Sequence, residues 1–353
     1  MKILLSVGTR PEIIKMSPLL RSLTKISNVL FIHSGQHYSF EMDKVFLEEL
    51  GLPEPDKNIE MGSGSHAEQT AKALVAYEKI IKEEKPDLVL VHGDTNTTLA
   101  CALATAKCKV PLGHVEAGLR SRDRSMPEEI NRILVDHASD YLFAPTKDAM
   151  KNLEKEGLGE KAYLTGNTIV DAVEENVKLT KEKEKTKEDY ILITAHRGEN
   201  VDSKENLRKL VEILNSLPIN TVYPIHPRTK AKIEEFELEI GNEKVELAEP
   251  TGYLEFLNLL KNSKLVMTDS GGIQEEAAVL NVPCLTLRYN TERPETVATG
   301  KNVLVGLDKE KALKEVDEIL NNQNKREKMA KPADFYGKDV SQKIIQIILK
   351  NFS

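Results

Sequence analysis

Short apolar runs recur along the chain, each closed by a polar or glycine-bearing turn. In the first half they fall at residues 2–7, 29–33, 88–92, 141–144 and 161–165, with a further strand leading into Glu116. In the second half they fall at residues 190–194, 221–223, 245–247, 265–268 and 282–287. Helical spacing of apolar positions fills the intervals between them. Pro11 suits a first helical position, which predicts a helix from there to about Ser27; another runs through Leu50 and stops at Gly51. Ser65 with Gln69 nearby resembles a helix start, and the amphipathic pattern behind it reaches Glu84. Further helices are predicted from Pro127 to Ser139, from Glu205 to Leu217, around Phe256, and from about Ser341 to Leu349.

Strand, helix, strand alternation of this kind predicts an α/β fold with parallel sheets. The 353 residues allow two such domains, each large enough for its own core. We place a Rossmann-like domain at residues 1–168, a second at 169–335, and a C-terminal helix in residues 336–353. The Lys- and Glu-rich run from Lys178 to Asp189 reads as a linker or a frayed helix end. Two halves of similar size imply a cleft between them, faced by strand-end motifs from both.

The most informative stretch is Leu265-Val266-Met267-Thr268-Asp269-Ser270-Gly271-Gly272-Ile273-Gln274-Glu275-Glu276. An apolar strand ends in Asp-Ser-Gly-Gly, and a helical pattern follows at once. The first N–H groups of a helix lack internal partners and carry partial positive charge. Glycines let a phosphate approach them closely. The turn therefore reads as a pyrophosphate holder; the alternative is a tight connection with no ligand.

Composition adds mainly exclusions. Hydrophobic residues at 40% and charged residues at 30% fit a globular chain with a core. The net charge of -7 argues against a nucleic-acid surface. No apolar run is long enough to span a bilayer, and Met1-Lys2 leads straight into a strand, so neither a membrane segment nor a signal peptide is expected. Cys101, Cys108 and Cys284 sit in apolar-rich surroundings without metal spacing, as expected of buried free thiols in a cytoplasmic protein.

Charged groups gather at strand ends, where open parallel sheets bind ligands. The cations are Arg10, Lys15, His196 and Arg293, and the carboxylates are Asp94, Glu116 and Glu128. Arg10 and Lys15 are expected to reach an anion above the sheet. Gly8 alone stands where a dinucleotide fingerprint needs three glycines, so no nicotinamide cofactor is expected. His92 and His114 leave a metal open, although no pair has ligand spacing. Each group has a plainer use: Asp94 as a cap for the helix starting at Thr95, Glu116 neutralised by Arg120, Glu128 favouring a helix dipole, His196 as a core histidine.

Taken in order, these motifs resemble the non-hydrolysing UDP-N-acetylglucosamine 2-epimerases. The resemblance rests on Gly8-Thr9-Arg10-Pro11-Glu12 with Lys15, His92-Gly93-Asp94-Thr95 and His114-Val115-Glu116-Ala117-Gly118-Leu119-Arg120. It continues through Pro127-Glu128-Glu129, Gly166-Asn167-Thr168, His196-Arg197, Thr268 to Glu276, and Thr291-Glu292-Arg293-Pro294-Glu295. It implies a two-domain GT-B-type fold, with residues 341–349 crossing back onto the first domain, and a homodimer. It implies UDP-N-acetylglucosamine and UDP-N-acetylmannosamine as ligands, with Asp94, Glu116 and Glu128 as catalytic carboxylates and His196 beside the diphosphate. Arg10, Lys15, Ser270, Gly271 and Gly272 then contact phosphate and nucleotide; Phe256 lies beside uracil, Glu276 on ribose, and Arg293 on substrate. The loop from Arg120 to Pro127 is shorter than in many bacterial members and carries Arg122 and Arg124. Thr251 stands where the family often has Gln. Tyr38 stands where bacterial relatives have an Arg belonging to an activating site, so such activation is not expected here.

The chemistry implied is loss of UDP from C1, removal of the C2 proton to give 2-acetamidoglucal, and re-addition with the proton delivered to the other face. Preorganised cations on the diphosphate and carboxylates near the sugar suit it. The rivals are a hydrolysing epimerase releasing N-acetylmannosamine and UDP, a glycosyltransferase of the same fold, and a silent nucleotide-sugar sensor.

Overall fold

The computed structural model describes residues 1–35, 40–180, 189–332 and 334–352. Tyr38 and most of the Lys178–Asp189 run lie outside them. The chain forms two compact units, Met1–Glu175 with Asp334–Ser353, and Asn176–Ala333.

The first unit holds a parallel sheet of β1 (Lys2–Val7), β2 (Asn28–His33), β3 (Lys57–Asn58), β4 (Leu88–His92), β5 (Leu112–Val115), β6 (Tyr141–Ala144) and β7 (Ala162–Leu164). Their order is β3-β2-β1-β4-β5-β6-β7. The chain moves outward from β1 to β3, then returns to the other side of β1 and moves outward again. The reversal leaves a switch point between β1 and β4, where the turns after both strands diverge and a ligand can enter. Ile3, Leu4, Leu5, Val89, Leu90 and Val91 are fully buried, as strands covered on both faces require.

The second unit repeats the plan with β8 (Ile191–Thr194), β9 (Thr221–Pro224), β10 (Val245–Ala248), β11 (Leu265–Thr268), β12 (Cys284–Thr286) and β13 (Asn302–Leu304), all parallel. The order β10-β9-β8-β11-β12-β13 puts its switch point between β8 and β11. Both units are therefore Rossmann-like, as the strand–helix alternation predicts.

Three local readings change. The first helix is Arg10–Leu23, shorter than predicted, because Thr24 to Ser27 close it with turn hydrogen bonds back to Leu20 and Leu23. The helix His66–Glu84 does start after Ser65, but its capping partner is Glu68, which accepts from Ser65 N at 2.9 Å and Oγ at 2.8 Å. Gln69 turns inward and donates to the Gly62 carbonyl at 2.8 Å. Of the thiols, Cys101 and Cys284 are buried but Cys108 is only partly so.

The last helix, Val340–Phe352, packs against Arg10–Leu23 in the first unit. Its first two free N–H groups, on Val340 and Ser341, donate to the Asp171 carboxylate at 3.1 and 2.6 Å. Asn167 N donates to the Tyr336 carbonyl at 2.9 Å. No helix among the described residues is long and apolar enough to cross a membrane.

Candidate active site

In the first unit the expected residues sit at the ends of three adjacent strands. Arg10 follows β1, Asp94 follows β4, and Glu116 follows β5. The turns after β1 and β4 are tied by a residue to which the sequence assigns no role. Glu12 Oε2 accepts from Gly8 N and Thr9 N, both at 2.7 Å, and from Thr9 Oγ1 at 3.0 Å. Its other oxygen accepts from Thr95 Oγ1 and Thr98 Oγ1, both at 2.9 Å. Burial pushes the Glu12 carboxyl above its ordinary value, against the hydrogen bonds from Gly8, Thr95, Thr98 and Thr9. Gly8 has no alternative here, since a Cβ would overlap the side chains of Thr97 and Ser34.

Lys15 lies beyond Arg10 on the same helix. Its buried ammonium pairs with Glu116 Oε2, because a cation inside the fold needs a counter-charge. His92 Nε2 lies 3.7 Å from the same oxygen. Glu116 has φ +73°, a left-handed backbone that a residue with a Cβ adopts at some cost. The turn is held by Glu116 N and Ala117 N, which donate to the Phe143 carbonyl at 3.2 and 3.1 Å, and by Gly118 N, which donates to Asp136 at 3.0 Å. Arg120 does not neutralise Glu116. It pairs with Asp136 at 2.7 Å and forks onto Glu156 at 2.8 and 2.6 Å.

Nor is Asp94 the helix cap; Thr95 is, accepting from Thr98 N at 3.1 Å. The Asp94 side chain instead receives Arg132 Nη2 at 2.5 Å. Arg132 lies on the helix Pro127–Ala138, which organises this edge of the sheet. Glu129 from the same helix accepts Arg132 Nη1 at 2.6 Å and the backbone N–H groups of Ser121 and Arg122 at 2.9 and 2.8 Å. Burial opposes the Glu129 charge, but these donors outweigh it and hold its carboxyl below the ordinary value. Glu128, in the first turn, is exposed and is not brought to either ion pair.

Asp136 closes the set. His114 Nδ1 lies 2.6 Å from its Oδ1, and Nε2 lies 2.8 Å from the Gly93 carbonyl oxygen. Both ring nitrogens are thus engaged within the fold. Against burial, His114 and Arg120 hold Asp136 below its ordinary value. Among the described residues no group of three or more His, Cys, Asp or Glu side chains is placed to hold a metal ion.

In the second unit the turns after β8 and β11 are joined by Asp269. Its Oδ2 accepts from His196 N at 3.0 Å, Arg197 N at 2.9 Å and Asn200 Nδ2 at 3.1 Å. The His196 ring is no core residue: it is 46% exposed, 3.5 Å from Asp269 Oδ1 and 6.1 Å from the His226 ring. Burial, His196 and Arg228 lower the His226 pKa.

The helix Gly271–Leu280 begins with Ser270 in the N-cap position, without a side-chain cap. The nearest protein atom to a Cβ on Gly271 is 3.8 Å away, and on Gly272 it is 4.0 Å. Packing from outside the helix does not demand either glycine. Arg293 is anchored to this helix through Glu275, which is fully buried. Glu276 is buried in the next position. Phe256 is half-buried on the helix Tyr253–Asn262, in the cluster that includes Ile273. Gln274 Oε1 accepts from Thr291 at 2.6 Å and Asn302 at 3.1 Å, while its Nε2 is buried without a hydrogen-bond partner among the described residues. Thr251 Oγ1 is a second such orphan.

Glu12, Arg132, Asp136 and Asp269 are the residues that the sequence reading passes over. The signal for Arg132 and Asp136 lies in Glu129-x-x-Arg132-x-x-x-Asp136, a charged series on the helix face that also buries Val135.

Residues 21–349 match the family model described as UDP-N-acetylglucosamine 2-epimerase. The UDP-N-acetylglucosamine 2-epimerase of Methanocaldococcus jannaschii is 53% identical over 339 residues, 91% of this chain and 93% of that one. Its counterpart in Methanococcus maripaludis is 52% identical, covering 91% of this chain and 92% of that one. The crystal structure of the M. jannaschii enzyme in complex with UDP-GlcNAc and UDP superposes with a TM-score of 0.89 at 49% identity, covering 99% of this chain and all of that one.

Proposed function

Since the chain belongs to the UDP-N-acetylglucosamine 2-epimerase family, we propose that it interconverts UDP-N-acetylglucosamine and UDP-N-acetylmannosamine without releasing a free sugar. The C2 proton of the substrate is not beside a carbonyl, so it is too weakly acidic to be removed directly. The C1–O bond breaks first. UDP leaves with the bonding electrons, positive charge develops at C1, and a carboxylate takes the C2 proton as the C1–C2 double bond of 2-acetamidoglucal forms. A phosphate oxygen of UDP then adds back to C1, and a proton reaches C2 on the opposite face. The product supplies N-acetylmannosamine-type sugars for surface polysaccharide or glycan synthesis.

The observation that carries this reading is the pair of carboxylates at neighbouring strand ends, each held by its own buried cation. Asp94 is paired with Arg132, and Glu116 with Lys15. Such groups are preorganised for proton transfer and for charge at C1. The uncapped N-terminus at Ser270, Gly271 and Gly272 suits the diphosphate, with His196 beside its turn. The buried orphans Thr251 Oγ1 and Gln274 Nε2 suit hydrogen bonding to the nucleotide. Glu128, exposed and one helical turn from Arg132, suits proton exchange with solvent.

The test is incubation with UDP-N-acetylglucosamine in heavy water, followed by NMR. The expected result is UDP-N-acetylmannosamine carrying deuterium at C2, with no accumulation of free sugar. Free N-acetylmannosamine with UDP would make it a hydrolysing enzyme. Absence of C2 label, with sugar passed to an acceptor, would make it a transferase.

A further inference from the structure

We propose that Arg132 is the positioning residue for Asp94, orienting its carboxylate toward the reacting sugar. The inference rests on the epimerase reading and adds to it a residue.

The geometry is directional. Arg132 is buried, and its two terminal nitrogens diverge onto two carboxylates. Nη1 goes to Glu129 at 2.6 Å and Nη2 to Asp94 at 2.5 Å. Glu129 is immobilised by Ser121 N, Ser121 Oγ and Arg122 N, so it fixes the guanidinium from behind. The preceding residue reaches the same target through the backbone, with Asn131 Nδ2 donating to the Asp94 carbonyl at 2.8 Å. Side chain and main chain of Asp94 are thus held by consecutive residues of one helix. The Asp94 side chain nevertheless remains 27% exposed, so it is held without being covered.

Arginine is required by this arrangement. A planar fork serves two acceptors at a fixed angle, whereas an ammonium is a point charge that centres on one.

The plain alternative is a structural ion pair with no bearing on the chemistry. Arg132→Gln, Arg132→Lys, Asp94→Asn and the double variant Arg132→Gln/Asp94→Asn separate the two, using turnover and C2 deuterium incorporation from UDP-N-acetylglucosamine. Arg132→Gln should lower kcat about a hundredfold, in the range of a lost acid–base group, with KM changed less than about threefold. Arg132→Lys keeps the charge and therefore the fold, yet should still lose about tenfold in kcat. The double variant should be no slower than Asp94→Asn alone, because Arg132 acts only through Asp94. Retention of kcat within about threefold in a folded Arg132→Lys, or losses that multiply in the double variant, would overturn the assignment. A wild type that leaves C2 unlabelled would instead remove the epimerase reading, and this one with it.

Discussion

Glu12 and Thr95 belong to different helices, yet Glu12 Oε1 accepts the Thr95 hydroxyl at 2.9 Å. Through this bond and its partner from Thr98, one buried carboxylate ties the start of the helix that follows β1 to the start of the helix that follows β4. It spans the switch point and sets the spacing between the turn of Arg10 and the turn of Asp94. Asp269 does the same in the second unit, where it joins the turns after β8 and β11. Glu12→Gln presents an NH2 group to donors and should cost roughly 2–4 kcal/mol, as for breaking a buried charged network. Thr98→Val should cost about 1 kcal/mol in the wild type and almost nothing beside Glu12→Gln. Urea unfolding of the four proteins measures this; additive costs would mean that Thr98 acts through its bond to the His92 carbonyl and not through Glu12.

The glycine turn at Ser270 separates ligand binding from folding. A Cβ at Gly271 meets no protein atom closer than 3.8 Å, and the residue opens a helix. Gly271→Ala should therefore leave stability unchanged or raise it by up to about 1 kcal/mol. The same methyl group occupies the position proposed for the diphosphate, so UDP affinity by calorimetry should fall at least about tenfold. A variant that is destabilised but binds UDP normally would assign the glycine to packing.

The sheets, and the turns that carry the site, are legible in the sequence because parallel strands buried on both faces are apolar throughout and end in glycine or aspartate. Leu88–His92 and Leu265–Thr268 are found to the residue. Ion-pair partners are not legible, because pairing is set by tertiary proximity and not by spacing. Lys15 meets Glu116 across 101 positions, and Arg132 meets Asp94 across 38. Arg120 stands four residues from Glu116 and looks like its natural counter-charge. The left-handed turn at Glu116 redirects the chain, and Arg120 pairs with Asp136 and Glu156. Glu12 is hidden for another reason: a glutamate two residues after Arg10 reads as an ordinary capping box.

Acid should unfold the second unit partly through Glu292. Burial opposes ionisation of this carboxyl, but Arg288, which donates to it at 3.0 and 3.1 Å, together with Arg197 and Arg293, brings it from 4.5 down to about 2. A folded-state value below the unfolded one means that the unfolded chain binds the proton more tightly. The stabilisation is complete above about pH 4.5 and is lost as the pH falls toward 2, roughly 3 kcal/mol in all. Glu292→Gln should be less stable near neutral pH and should flatten the slope of stability against pH in that window. Denaturant unfolding between pH 2 and 6 gives the slope; parallel curves for variant and wild type would contradict the assignment.

Gly166 holds the returning C-terminal segment. It has φ +101°, and a Cβ there would run into the Tyr336 carbonyl. Gly166→Ala should thus cost more than about 1 kcal/mol from backbone strain and overlap combined. The damage should be local, since Asp171 still caps the helix Val340–Phe352 from its own position. Limited proteolysis should cut ahead of that helix faster than in the wild type. An unchanged melting temperature and cleavage rate would show that the segment is held by its apolar face alone.

The two paired carboxylates should fail in different ways. Asp94→Asn keeps an acceptor for Arg132, whose charge is still shared with Glu129, so the fold should survive while turnover falls at least about a hundredfold. Glu116→Gln should lose turnover to a similar extent, but it also replaces the carboxylate paired with the buried Lys15 ammonium by a neutral amide. That replacement should cost a further roughly 3–5 kcal/mol unless Lys15 sheds its proton. Adding Lys15→Met removes the buried charge and should restore stability without restoring turnover. Rescue of both would mean that Glu116 serves only to pair Lys15, and wild-type-like turnover in either single variant would remove that residue from proton transfer.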